Sequence, residues 1–334
     1  MAPNLPSISA PRSPLSRHRQ LSPTASIKVS PICLGAMNFG ESQKQLLGEC
    51  NKETAFSILD TFKHAGGNFI DTANSYQHGQ SEKWVGDWLA ARQCRDEMVI
   101  ATKYTDNFQP HKQRKIQSNF AGNGSKSLKL SIERSLKWLQ TSYIDILYLH
   151  WWDYTAGIPE VMHNLNDLVT AGKVLYLGVS DTPAWVVSKA NQYARDHGLR
   201  QFVVYQGLWN AAMRDFERDI IPMAKDEGMA ILPYGSLGRG KFQTEQGFKE
   251  RERKNPGRAR KVKTVNNVVS KVLEELAVAK NTAVTSIALA YVLHKAPYVF
   301  PLVGGRKVDH LKSNFEALEI ELSEEEMAKI DRAY

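Results

Sequence analysis

Six short apolar runs in this chain each end on a side chain that can handle protons or hold a polar ligand. Residues 68–70 end at Asp71, 98–102 at Lys103, 144–149 at His150, 174–179 at Ser180, 202–205 at Gln206 and 229–233 at Tyr234. A carboxylate, an ammonium, an imidazole, a hydroxyl, a carboxamide and a phenol are the groups from which acid–base sites are built. The polar group always stands at the C-terminal end of its run. If the runs are strands of a (β/α)₈ barrel, these ends share the mouth that carries the active site in such barrels. Six residues scattered over about half the chain are then expected to converge on one pocket.

Stretches with helical periodicity separate the runs, as a barrel requires. A hairpin from residues 19–21 and 26–29 is expected to close the barrel floor and lead into a first barrel strand over 32–37. A helix over 52–65 stops at Gly66-Gly67. Trp84, Val85, Trp88 and Leu89 line one face of a helix over 80–92, and Leu128, Ile132, Leu136 and Leu139 one face of a helix over 125–139. Further helices open at Pro159 and Pro183 and stop at Gly172 and near Gly198. One more runs to about residue 227. After a long segment, 235–263, helices are expected over 264–280 and 284–295, a strand over 298–303, and helices over 308–317 and 324–333.

Such alternation implies parallel strands with right-handed crossovers. The rival, an open doubly wound sheet, usually carries a GxGxxG turn after its first strand, and this chain has none. The expected fold class is therefore α/β: a (β/α)₈ TIM barrel with an N-terminal β-hairpin and extra C-terminal helices. Residues 1–26 are expected to be largely flexible, with part in the hairpin, and 27–334 to form a single barrel domain.

Composition fits this. The 334 residues, 42% of them hydrophobic, suffice for one large core. No stretch approaches the roughly 20 apolar residues that span a bilayer, and the N-terminus lacks the apolar core of a secretory signal. Residues 1–26, rich in Ser, Pro and Arg without Asp or Glu, superficially match a transit peptide. Cys33, Cys50 and Cys94 are odd in number and form no CxxC pair, which argues against a disulfide framework and a zinc site. A reducing compartment, most simply the cytoplasm, fits. The net charge of +8 and pI near 9.2 would suit nucleic acid or a phosphate-rich cofactor. The basic residues are mostly dispersed, and the one dense run, 249–263, carries two glutamates and reads as a solvated loop. Nucleic-acid, membrane and metal partners are not expected. Oligomeric state is not legible from one chain.

The fragments FIDTANSYQHGQSE, VIATKY, IDILYLHWWDY and GVSDTPAW, in that order, resemble the aldo-keto reductase superfamily. They most resemble its fungal branch of aryl-alcohol dehydrogenase and norsolorinic-acid-reductase-like proteins. The resemblance covers about residues 19–334. It implies an NADP(H)-dependent oxidoreductase that reduces an aldehyde or ketone of aromatic, polyketide or terpenoid type, in secondary metabolism, to the alcohol. Asp71, Tyr76, Lys103 and His150 match the family's catalytic tetrad. Hydride transfer to a carbonyl leaves an oxyanion that needs a proton. Tyrosine can supply it, but a phenol with a pKa of about 10 is a weak acid at neutral pH. A neighbouring ammonium, Lys103, is expected to lower that value. Asp71 would anchor Lys103, and His150 would donate to the carbonyl oxygen. Taken singly, each residue has an ordinary reading: a strand-end cap, a loop aromatic, a surface charge, a core histidine. Four matches at or just after three successive strand ends outweigh these.

By the same resemblance the cofactor is held by Met37, Asp71, Ser180, Asp181, Gln206, Tyr234, Gly235, Ser236, Leu237, Arg239, Lys241, Gly304, Gly305, Arg306, His310 and Asn314. Ser180, Asp181 and Gln206 would bind the carboxamide, and Tyr234 would stack on the nicotinamide. Position 181 is Asp where many relatives have Asn, so it can only accept. Arg306 is the candidate for the adenosine 2′-phosphate, and Gly304 stands where other branches place a lysine. His150 and Trp151 are the expected substrate contacts, with Trp152 and Tyr154 beside them, although one Trp is expected to point away. Residues 38–51 and 104–124, the latter with Phe108 and Phe120, are expected to wall the mouth. Relatives often carry a C-terminal extension over the pocket, whereas this chain stops at Tyr334: either the pocket is more open or the sequence is short. The alternative function is a cofactor-binding regulatory or assembly subunit with little turnover. A redox-inactive relative is a third reading.

Overall fold

The computed structural model describes residues 11–109, 116–244, 247 and 264–334, without the side chains of 264–266. The chain enters through an antiparallel hairpin, β1 (Arg19–Ser22) and β2 (Ala25–Val29). Eight further strands follow: β3 (Cys33–Gly35), β4 (Phe69–Asp71), β5 (Val99–Tyr104), β6 (Ile144–Leu149), β7 (Val174–Ser180), β8 (Phe202–Leu208), β9 (Ala230–Tyr234) and β10 (Leu302–Gly304). They form one parallel sheet in the order β10-β3-β4-β5-β6-β7-β8-β9. The sheet closes between β9 and the residues before β10. There Ile231 N–H donates to Tyr298 O, and Phe300 N–H to Ile231 O. The expected strand over 298–303 therefore splits. Its first half pairs with β9 and its second with β3, so the ladder changes partner midway. The first barrel strand is likewise shorter than expected.

The helices are α1 (Lys44–Leu47), α2 (Lys52–His64), α3 (Gln80–Arg92), α4 (Ser125–Leu139), α5 (Ile158–Thr170), α6 (Ala184–Asp196), α7 (Ile220–Asp226), α8 (Thr264–Ala279), α9 (Val284–Lys295), α10 (Val308–Phe315) and α11 (Glu324–Asp331). Local chemistry sets several boundaries. The Asn51 side chain accepts from Thr54 N–H at the start of α2, and Ser323 with Glu326 forms a capping box at α11. The expected helix over 308–317 ends earlier, at Phe315, and passes into a 3₁₀ turn, Glu316–Glu319. The four-residue α1 was not expected. Its residues are polar and apolar without a buried face, so no period marks it. Among the described residues, no single helix is long and apolar enough to cross a membrane.

Two cores result. One lies between the sheet and the helices, and contains Ile58, Leu59, Trp88, Ile132 and Ile287. The other fills the barrel: Phe69, Val99, Ala101, Ile146, Tyr148, Val204, Ala230, Leu232 and Phe300. Leu21, Ala25 and Val29 of the hairpin join this inner core, so the hairpin plugs the floor, as expected. The Arg19 guanidinium donates to Val299 O and lies 4.3 Å from the centre of the Phe300 ring. Inside the barrel, a Cβ on Gly178 would come within 2.5 Å of the Tyr148 ring, so glycine makes room for that tyrosine.

Glycine matters equally on the outer side, at Gly86 of α3. A Cβ there would lie 2.1 Å from Trp138 O, at the end of α4. Backbone cannot yield as a flexible side chain does. Gly86→Ala is expected to push α3 from α4 and cost about 1–3 kcal/mol, despite the better helix propensity of alanine. Urea unfolding measures it. A midpoint equal to the parent protein's would show that the helices do not approach so closely.

Candidate active site

Side chains on a strand alternate between its two faces. Phe69, Ala101, Tyr148, Val204 and Leu232 belong to the inner core. Two residues beyond them stand Asp71, Lys103, His150, Gln206 and Tyr234. The period of two thus lifts five expected residues to the upper end of the barrel interior. A slip of one residue would turn them outward.

At the centre is a buried ion pair. Lys103 is 0% exposed and Asp71 1%. The Lys103 ammonium donates to Asp71 Oδ1, to Thr72 O at 2.8 Å and to Tyr76 Oη at 3.3 Å. Its three hydrogens have three acceptors. Gln206 Nε2 donates to the other carboxylate oxygen of Asp71 at 2.9 Å. Burial opposes charge on Lys103, but Asp71 and Tyr76 outweigh it and hold the ammonium above its ordinary value. Burial pushes the Asp71 carboxyl upward, against Lys103 and Gln206. With an ammonium bonded directly to the carboxylate, we take the pair as ionised.

Tyr76 reaches the pair from a 3₁₀ turn, Tyr76–Gly79, which follows β4. Gln77 and His78 there take left-handed backbone conformations, with φ of 53° and 56°. Gln77 is fully buried and accepts from Gln43 N–H at 2.7 Å. Gln80 accepts from Glu41 N–H and Ser42 N–H. These amides fix the mouth segment that contains α1. Behind the site, Thr102 Oγ1 donates to buried Glu82 at 2.6 Å, and Ser81 Oγ donates to Ala36 O. Contrary to expectation, the phenol of Tyr76 is held above its usual pKa. Burial raises it, and Lys103 opposes without prevailing. The free site therefore keeps Tyr76 in its protonated, proton-donating form.

His150 packs edge-on against Tyr76, with ring centres 5.9 Å apart. Burial, and then Lys103, depress its pKa to about 4, so it is neutral at pH 7. Its Nδ1 lies 3.3 Å from Asp106 Oδ2 but makes no hydrogen bond by angle; the contact is electrostatic. Trp151 Nε1 donates to Asp106 Oδ1 at 2.7 Å. Trp151 stands at the mouth, 38% exposed, while Trp152 packs against the outer core, so one indole does turn away. Residues 104–124 contribute wall through Asp106 and Asn107, whereas Phe108 of the same segment is buried, edge-on to Phe120, with the Arg134 guanidinium over its ring, and is structural. Residues 110–115 lie outside the described residues.

A cavity of about 360 Å³ opens beside Tyr76. Met37, Leu46 and Leu47 supply apolar wall, and Ser75, Asp106 and Asn107 supply polar wall. Residues 38–51 thus contribute a wall, as expected, through α1. Met37, expected at the cofactor, lines this cavity.

The remaining expected cofactor residues form two groups. Ser180 is buried at the end of β7, and Asp181 follows it with a φ of 39°. Tyr234 Oη lies 3.1 and 3.0 Å from the two carboxylate oxygens of Asp181, to which it donates. The turn after β9 has left-handed Gly235, Gly238, Arg239 and Gly240, and the Arg239 guanidinium lies 5.5 Å from the Tyr234 ring centre. Ser236 Oγ donates to Pro233 O, Leu237 packs on the core, and Lys241 O accepts from Ser270 Oγ. Ser236 and Leu237 could therefore meet a ligand chiefly through backbone. The basic run 249–263 lies outside the described residues. After β10, a Cβ on Gly304 would meet nothing nearer than 3.6 Å. His310 is lowered by burial and by the cations Lys307 and Arg306, and Asn314 is buried. Gly305 lies between, 3.3 Å from His310 when a Cβ is built on it.

Sequence reasoning missed Asp106, Gln77, Gln80 and Glu82. Asp106 comes two residues after β5, so a wider reading of strand ends would have found it, whereas Glu82, although it closes the quoted fragment FIDTANSYQHGQSE, stands in the first turn of α3.

Residues 31–334 match the Aldo/keto reductase family. The chain belongs to the aldo/keto reductase family. It is 66% identical over 318 residues to norsolorinic acid reductase B of Dothistroma septosporum, covering 95% of this chain and 81% of that one. It is 59% identical over 331 residues to norsolorinic acid reductase B of Aspergillus parasiticus, covering 98% and 86%. A putative aryl-alcohol dehydrogenase of Saccharomyces cerevisiae is 51% identical over 328 residues, covering 96% and 87%. This aldo/keto reductase is an oxidoreductase acting on carbonyl and alcohol groups, in a family that works with a nicotinamide cofactor.

The depressed His150 gives a stability prediction. Its pKa in the folded protein lies below the unfolded value of about 6.5. As pH falls, the unfolded chain takes up this proton first. The contribution of neutral His150 is therefore complete above about pH 6.5 and is lost on acidification toward about pH 4, on the order of 3 kcal/mol in all. The urea midpoint is expected to drop more between pH 7 and 4.5 in the parent protein than in His150→Gln. Parallel drops would contradict the depressed value.

Proposed function

We propose that this protein is an NADPH-dependent reductase of secondary metabolism. Residues 27–334 act as one catalytic unit that reduces an aldehyde or ketone of aromatic, polyketide or terpenoid type to the alcohol. The observation that carries the reading is the Tyr76 hydroxyl on the buried Lys103 ammonium, 3.3 Å away, at the edge of a cavity with apolar and polar walls. The names of the relatives, norsolorinic acid reductases and aryl-alcohol dehydrogenases, support the substrate class. The cytoplasm is the proposed location, since Cys33, Cys50 and Cys94 are buried free thiols.

The residues present fit the nicotinamide cofactor. Arg306 and Lys307 gather positive charge after β10, where with burial they lower the pKa of His310, and the Cys50 thiol, raised to about 11 by burial, also feels Arg306. An anionic phosphate suits that field. Ser180, Asp181 and Gln206 would hold the carboxamide and Tyr234 the ring. The turn Gly235–Lys241 would meet the pyrophosphate, and Arg306 with His310 and Asn314 the adenosine end. The bound cofactor supplies the hydride. The protein's own part is proton delivery. Tyr76 is kept protonated by burial until the substrate oxygen gains charge, and its proton then moves to that oxygen. The phenolate left behind is stabilised by Lys103, whose charge Asp71 balances. His150 faces the same oxygen beside Tyr76. A complete acid with its paired ammonium gives the non-catalytic subunit reading no support.

Tyr76→Phe is expected to lower carbonyl reduction by about 10²–10⁴-fold while the cofactor still binds. Near-normal NADPH oxidation with an aromatic aldehyde would remove Tyr76 from this role. Arg306→Ala is expected to weaken NADPH far more than NADH, by about tenfold or more for the phosphorylated cofactor. Fluorescence titration decides, and equal losses for both cofactors would refute the 2′-phosphate assignment.

A further inference from the structure

The aspartate after Ser180 carries a charge that its neighbours do not cancel. Asp181 stands just past β7, exposed at the mouth of the barrel. Its two carboxylate oxygens share the hydroxyl proton of Tyr234, at 3.1 and 3.0 Å. That partner is a neutral phenol. Among the described residues, the cations that reach Asp181 are Arg239 and Lys103, and both act through space rather than by an ion pair. Lys103 is already paired with Asp71, and the Arg239 guanidinium lies over the Tyr234 ring. Partial burial raises the pKa of Asp181, against the bond from Tyr234 and the charges of Arg239 and Lys103. The residue still meets water and accepts a hydrogen bond on each oxygen, so it is a carboxylate at neutral pH.

The acid, Tyr76, fixes where a hydride must be delivered. Reacting atoms stand about 3–3.5 Å apart when such a transfer begins, so a nicotinamide ring has to lie beside the carbonyl that meets Tyr76 Oη. Tyr76 is near enough to act on the Tyr234 phenol, and Lys103 near enough to act on Asp181. A ring in the space between them is a neighbour of Asp181. The two redox forms of that ring differ by one unit of charge: neutral in NADPH, cationic in NADP⁺. A carboxylate attracts the cation and is indifferent to the neutral ring, and a bound ring displaces the water that screens Asp181 in the free protein. An asparagine would keep the shape and one acceptor oxygen without the charge. We propose that Asp181 makes this site discriminate between the redox forms of its cofactor, holding NADP⁺ about tenfold more tightly, relative to NADPH, than an asparagine there would. Tenfold is about 1.4 kcal/mol, well below what two unit charges gain at close range near a protein surface. The consequence is regulatory: the oxidised cofactor is slow to leave, and the rate of reduction follows the ratio of NADPH to NADP⁺. Asp106, the other carboxylate of the mouth, adds a field of the same sign from the substrate side, where Ser75 and Trp151 hold it. The proposal rests on the nicotinamide site proposed above.

Cofactor titrations of the whole protein at pH 7 test this. NADPH binding is read by its fluorescence, and NADP⁺ binding by displacement of NADPH. The phosphates are common to both forms and cancel in the ratio of the two constants. In Asp181→Asn the Kd of NADP⁺ is expected to rise about tenfold, with that of NADPH within about twofold. Asparagine tolerates the left-handed backbone at this position, φ 39°, and still accepts from Tyr234. In Asp181→Ala the acceptor is lost as well, so both forms weaken, NADP⁺ still by about tenfold more. The inhibition constant of NADP⁺ against NADPH in steady-state reduction is expected to rise in parallel. A role in hydrogen bonding alone would leave the ratio of the two constants in Asp181→Asn at the parent value, and that result overturns the proposal. Should Asp181→Asn fail to fold, an unchanged ratio in Asp181→Ala overturns it equally. If the parent protein binds neither form, the nicotinamide site itself fails and this proposal with it; where both bind, the ratio judges Asp181 alone.

Discussion

A lysine ammonium buried at 0% exposure is the constraint around which the upper barrel is arranged. Removing such a charge from water costs several kcal/mol unless every hydrogen finds an acceptor and the charge finds a counter-ion. Lys103 meets the condition through Asp71, Thr72 O and Tyr76 Oη. Those three lie on β4, or within a few residues after it, while Lys103 is on β5. The two strands must therefore pair in one register, with Asp71 opposite Ala101 and Lys103 one inward step higher. Gln206, from the far side of the barrel, completes the shell of Asp71. The polar centre thus demands a closed barrel, and the apolar barrel below excludes the water that would weaken it.

The same burial shapes the chemistry. A phenol in water beside an ammonium would lose its proton more readily. Here burial of Tyr76 prevails over Lys103, so the site stores the proton and the ammonium acts once it departs. His150 is kept neutral by burial and by the same ammonium. Burial thus sets the state of both neighbours, with Lys103 opposing it at Tyr76 and reinforcing it at His150, while Asp106, 3.3 Å from His150 Nδ1, favours the protonated imidazole. Above this centre the loops are held by polar side chains, Gln77, Gln80, Asn123 and Asp106, and by buried apolar ones, Phe39, Cys50 and Phe108. That suits mouth segments, which stand in water on one side and must keep their shape.

Much of the fold and site was legible because it repeats local rules. Apolar runs of strand length, glycine stops after α2 and α5, and the apolar stripe of α3 each declare themselves within a few residues. What escaped was set by partners far along the chain. The strand before β10 divides because Ile231 competes for its first half. Phe108 reads as a loop aromatic, but Arg134 and Phe120 enclose it. Helix α1 has no period because Gln77 and Gln80, not a buried face, hold its segment. Asp106 resembles any loop aspartate until Ser75, His150 and Trp151 arrive around it.

Side-chain type and order along the chain, read alone, determined which groups stand at the barrel mouth: alternation puts every second residue on the inner face, and the run ends choose the level. Only the tertiary structure decided their protonation and their supports. Both depend on how much water is excluded and on which charges meet across the barrel, and these are properties of distances between residues that the chain keeps far apart.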